Sequence, residues 1–154
     1  MNAEELMIGD IVRVSKDVCI KKGTIVEIRG IDADRVFPEK PLKGCAACVP
    51  VGDPDGVSGG VWLEYLEPVP LTPEILERNG FVTKDKGREH YGYLMYFLYD
   101  EEDHCLLGVK WYIKDSIAEI TLETTPYYII IKFVHQLLHT LRLCGLRKEI
   151  KLEG

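Results

Sequence analysis

Between residues 132 and 144 the apolar positions fall three and four apart: Phe133, Val134, Leu137, Leu138, Leu141 and Cys144. That spacing gathers them on one stripe and predicts a helix over 132–144. Gly145 follows, a residue that tolerates the left-handed backbone with which helices end. A shorter helix is written into 71–81, L-T-P-E-I-L-E-R-N-G-F. Thr72 suits the N-cap, Pro73 the first helical position and Glu74 the positive end of the dipole, while Asn79-Gly80 stops the helix. Most of the remaining chain alternates with a period of two.

In the first half the alternation predicts strands over 10–14, 18–20, 24–31, 35–37, 46–51, 61–63 and 67–69. A helical turn is expected at 3–7, a loop at 52–60 and a tight turn at 64–66. Strands this short and this frequent predict a small barrel over 1–70. The runs G-D-I-V-R-V at 9–14, G-T-I-V at 23–26 and Y-L-E-P-V at 65–69 resemble the strand order of SH3-like barrels, which close their edges with few residues. In the second half, 82–90 is charged and expected to be exposed. Strands follow over 91–99, 106–113 and 117–122, with turns at 100–104 and 114–116. Residues 127–131 read either as a fourth strand or as the first turn of the long helix, and 149–152 as a short last strand. The expected class is α+β: an SH3-like β-barrel lobe at 1–70, a connector helix at 71–81, and an antiparallel β-meander with a C-terminal helix at 82–154.

Two stretches together, L-T-P-E-I-L-x-x-N-G-F from Leu71 and V-H-Q-L-x-H-x-L from Val134, resemble a family of small uncharacterised proteins of gut Bacteroides-type bacteria and their phages. The resemblance runs the whole length and implies an intracellular accessory protein of phage or prophage origin. It assigns no catalytic residue. Leu138 departs from the family, where glutamine is frequent at that position.

The bulk numbers narrow the choice of function. The 154 residues are 46% hydrophobic and 29% charged with a net charge of -6, and neither half is basic. A folded globular protein is expected, and the acidic balance argues against reliance on phosphate contacts, hence against nucleic acid. Residues 1–10 contain no basic stretch and no long apolar run, so no secretory leader is expected, nor any membrane span. Five cysteines, an odd number, fit reduced thiols in a cytoplasmic protein.

Candidate chemistry is incomplete wherever it arises. His135 and His139 share a helix face, but where the zinc-protease pattern His-Glu-x-x-His has its general base this chain has Gln136. An amide cannot take a proton from metal-bound water. The histidines are therefore expected at the edge of the apolar stripe, within reach of water. Cys45 and Cys48 form a C-x-x-C without a second ligand pair, and their odd spacing sends them to opposite faces of a strand. The run D-E-E-D-H at 100–104 reads as a solvated hairpin turn, and Asp53-x-Asp55-Gly56 lacks the glutamate of a calcium loop. No nucleophile elbow, phosphate loop or dinucleotide fingerprint occurs. Catalytic residues, metal and cofactors are accordingly expected to be none. Trp62 and Tyr65 fall where SH3-like barrels present a ligand groove, by analogy. They join His135, Gln136 and His139 as binding candidates.

Alternation in the meander sends Tyr91, Tyr93, Met95, Phe97 and Tyr99 to one face and Leu94, Tyr96 and Leu98 to the other. Both faces are apolar. One covers the helix; the other calls for the first lobe, another chain or a partner. The function expected is a non-enzymatic intracellular accessory role through contact with an unknown protein partner. The alternatives are a nucleic-acid-associated accessory protein, and a small hydrolase or metal-dependent enzyme built on His135 and His139. The sequence carries no signal for oligomeric state.

Overall fold

A computed structural model of the chain describes residues 1, 3–36, 43–53, 58–83, 91–121, 128–146 and 148–152. The chain divides into two compact units, Met1–Val69 and Pro70–Gly154. Each contains one five-stranded antiparallel sheet, and the second also holds two α-helices, so the class is α+β. Among the described residues no helix is long and apolar enough to cross a membrane.

The first unit opens with a 3-10 turn at Ala3–Glu5 and continues through β1 (Ile11–Val14), β2 (Ile25–Val36), β3 (Lys43–Pro50) and β4 (Gly59–Trp62). A 3-10 turn at Leu63–Tyr65 leads into β5 (Leu66–Pro68). The order across the sheet is β4-β3-β2-β1-β5. Val12 and Val14 of β1 and Val26 and Ile28 of β2 alternate inward and meet Ala46, Cys48, Val61, Leu63 and Leu66 in one core. Four expectations change here. The closed barrel is not formed: among the described residues β4 and β5 are the two edges, no ladder joins them, and the sheet stays open. The strands expected at 24–31 and 35–37 are one, because the ladder to β3 continues through register shifts between Ile28 and Gly30 and between Asp32 and Val36. Phe37 lies outside the described residues. The segment 18–20 pairs with no strand among the described residues and bends instead, with Val18 donating to the Ile20 carbonyl at 3.2 Å. Gly59 and Gly60, which composition assigns to a loop, pair with Cys48 and Ala47 in β4. A Cβ at Gly59 would collide with Cys19 Sγ, so glycine there admits that thiol.

The second unit runs α1 (Pro73–Arg78), β6 (Val82–Thr83), β7 (Tyr93–Tyr99), β8 (Cys105–Tyr112), β9 (Ile117–Thr121), β10 (Tyr128–Ile131) and α2 (Val134–Leu143). Its sheet order is β10-β9-β8-β7-β6. The ambiguous segment is therefore strand from Tyr128 onward, in register with Thr121 to Ala118. Val82 and Thr83 are not merely exposed coil but pair with Phe97 and Tyr96. Residues 84–90, Leu122 and Tyr127 lie outside the described residues. Both helices end as their sequences require. Phe81 and Gly80 donate to the carbonyls of Leu76 and Glu77 at 3.1 Å each, and Leu146 and Gly145 to those of Leu141 and Arg142 at 2.8 and 2.9 Å. These are Schellman closures, which need the left-handed glycine at Gly80 and Gly145.

No strand forms at 149–152. Asn79, buried at the end of α1, holds that segment instead. Its Nδ2 donates to the carbonyls of Ile75 and Lys151 at 2.7 and 2.8 Å, and its Oδ1 accepts from the Lys151 amide at 2.8 Å. A side-chain amide presents the same donor and acceptor as a peptide, so one asparagine supplies what a neighbouring strand would have supplied.

Candidate interaction surface

The start of α2 explains Gln136. Phe133 is extended, which delays the helix to Val134, and forms an antiparallel bridge with Pro70. Gln136 Oε1 accepts from the amides of Lys132 at 2.8 Å and Phe133 at 3.2 Å. It thus satisfies backbone donors that a helix start leaves over. His135 is 4% exposed, so the edge position within reach of water is not where it lies. Its ring stacks on Phe133 at 5.7 Å and 9°, and meets the half-buried His139 ring edge-on at 5.7 Å. The buried arc of α2 is wider than the apolar stripe because Phe133 draws an imidazole into it. Among the described residues no three His, Cys, Asp or Glu side chains gather as metal ligands.

Trp62 and Tyr65 belong to the first unit, Trp62 just before the 3-10 turn and Tyr65 its last residue, and both are half-buried. Lys16 Nζ lies 4.7 Å from the Tyr65 ring centre and donates to its hydroxyl at 3.4 Å. Cys45 and Cys48 point away from each other, with Cys48 in the core and Cys45 beside Trp62. Burial, then the neighbouring Cys45 and Cys19 thiols, push Cys48 up to about 12. In the acidic hairpin, Asp100 Oδ1 accepts from the amides of Glu102 and His104 at 2.9 and 2.8 Å. The His104 backbone bond is the largest of the causes that lower the Asp100 pKa. Asp55 and Gly56 lie outside the described residues.

From Tyr93 onward the meander separates its faces as the alternation implies; Tyr91 and Gly92, expected in the strand, form a turn ahead of β7. Leu94, Tyr96 and Leu98 pair with Trp111, Val109 and Leu107, and the row continues to Ala118 and Ile120. Apart from the half-buried Leu94 this face is buried, and Tyr96 donates to Glu77 of α1 at 3.2 Å. The opposite face carries Tyr93, Met95, Phe97 and Tyr99, all half-buried. Tyr93 sits across from Tyr112 with ring centres 6.4 Å apart. Lys110 Nζ lies 4.5 Å from the Tyr93 ring centre and 4.9 Å from that of Tyr112. Tyr112 in turn donates to Glu119 at 2.9 Å. The hydrogen bond with Tyr112 raises the Lys110 pKa first, with the charge of Glu119 adding to it.

This face runs to the open edge of the sheet. There Tyr128 is 60% exposed, Ile129 41% and Ile130 55%. Register places Tyr128 opposite Thr121 and Ile130 opposite Glu119, on the tyrosine face, and Ile129 opposite Ile120 on the other. From Tyr128 to Ile130, β10 is therefore exposed and apolar on both sides, while Ile131 is buried. Sequence reasoning passed over these residues. An unbroken run such as Y-I-I-I reads alike for a strand buried on both faces and one exposed on both, so only the absence of polar residues was visible.

Comparison with family models, with curated proteins and with solved structures gave no match.

Proposed function

We propose that the chain is a non-enzymatic accessory protein that acts by binding another polypeptide, through the sheet of its second unit. The observation that carries this reading is β10, an edge strand whose Tyr128, Ile129 and Ile130 remain between 41% and 60% exposed. An exposed edge offers unpaired backbone donors and acceptors for an added strand, and apolar side chains add area to it. The adjoining tyrosine face widens the surface with side chains that protein interfaces favour. The resemblance to phage and bacterial accessory proteins supports an intracellular role of phage or prophage origin. In the first unit, the order β4-β3-β2-β1-β5 and the 3-10 turn ahead of β5 support an SH3-like kinship.

Two tyrosines flanking a lysine also suit single-stranded nucleic acid. Here the charge of Lys110 is answered by Glu119 and the chain carries -6, which favours the protein reading. Affinity capture from a Bacteroides-type host lysate with wild type and Ile130→Lys tests it. A protein retained by wild type and lost with the variant is the expected result. Equal recovery by both, or salt-sensitive binding of single-stranded oligonucleotides instead, counts against it.

A further inference from the structure

We infer that β10 pairs antiparallel with β10 of a second copy of this chain, with Ile129 opposite its own counterpart; the inference rests on reading this sheet as the contact surface. Among the described residues the two sheets have four edges. β4 contains Gly59 and Gly60, β5 has three residues and ends in Pro68, and β6 has only two residues. Shortness, proline and glycine are the features that keep edges from pairing. β10 has four residues with no glycine, proline or charge.

Charge and register select the second copy as occupant. The chain carries -6, yet β10 brings no charge from either side of a self-pairing, so the junction adds no like-charge contact. A foreign strand bearing charges would have to bury them beside isoleucine. A two-fold pairing centred on Ile129 joins positions of equal parity, so both faces continue across the junction. Ile129 then meets Ile129, and Tyr128 meets Ile130 twice, an aromatic and β-branched pair of the kind that stabilises cross-strand contacts. Each edge is used up in the contact, so the assembly closes as a dimer and does not grow. Three residues a side, Tyr128 to Ile130, is small beside the roughly 20–30 of a standard interface. The dimer is accordingly weak and depends on concentration.

Sedimentation velocity of the full chain over a wide concentration range tests this. The expected result is a reversible monomer–dimer equilibrium. Ile129→Lys and Ile129→Glu, which set like charges opposite one another, should each be monomeric with an unchanged circular dichroism spectrum, and an equal mixture should dimerise. Tyr128→Glu, at a position 60% exposed, should also lose the dimer, and Leu143→Lys, 83% exposed on α2, should keep it. A wild type that stays monomeric throughout overturns the inference, as does Ile129→Lys or Tyr128→Glu dimerising like wild type. If wild type is monomeric but a lysate partner is still lost with Ile130→Lys, the second copy is wrong and the contact surface stands.

Discussion

Leu137 and His135 lie two residues apart on α2, one fully buried and the other 4% exposed. Leu137→Ala removes transfer energy and leaves a cavity, an expected cost of ~2–5 kcal/mol. Without the structure His135→Ala would be placed below about 1 kcal/mol. Its burial and its stacking on Phe133 raise the expectation to ~1–3 kcal/mol, still below Leu137. Denaturant melts of both variants check the order. Cys48 gives a second residue-scale test. An unfolded thiol ionises near its ordinary value of 9.0, whereas the buried one is pushed up to about 12. Between those values the unfolded chain releases a proton that the folded chain keeps, so stability falls as pH rises past 9. Melting temperatures of wild type should drop more steeply over that range than those of Cys48→Val. Equal slopes would show that the thiol is not in the dry environment described.

At the scale of elements, α2 begins where Gln136 can receive two amides. Gln136→Ala should cost ~0.5–2 kcal/mol, the usual worth of a cap. Gln136→Glu keeps the acceptor and adds a negative charge near the positive end of the helix, so thermal melts should show equal or higher stability. The C-terminal segment hangs on Asn79 in the same sense. Asn79→Asp replaces an amide that donates to two carbonyls with an oxygen that repels them. Its destabilisation should exceed that of Asn79→Ala, and protection of the Lys151 amide from hydrogen exchange should vanish with Asn79→Ala, which removes its acceptor. Helix termini were legible because Thr72, Pro73, Gly80 and Gly145 act through local chemistry. The Asn79 clamp was not, since residues 79 and 151 meet only after the chain has folded. β10 was ambiguous for a related reason: Y-I-I-I has no period that separates strand from helix.

At the scale of the molecule, the two units Met1–Val69 and Pro70–Gly154 each contain a sheet with its own buried residues. Expressed separately, each should give a cooperative thermal transition, read by circular dichroism. Loss of folding in both fragments would mean that neither core suffices alone. The sequence by itself determined the α+β class, the alternation that separates the faces of β7, and both helices with the ends set by Thr72, Pro73, Gly80 and Gly145. These depend on neighbours within a few residues, where backbone sterics and side-chain periodicity act directly. Tertiary structure alone decided that the first sheet stays open, that His135 is buried, and that β10 lies at an edge with isoleucine in solvent. Each is a matter of which distant segment lies alongside, and strand pairing between remote residues leaves no periodic trace in the chain.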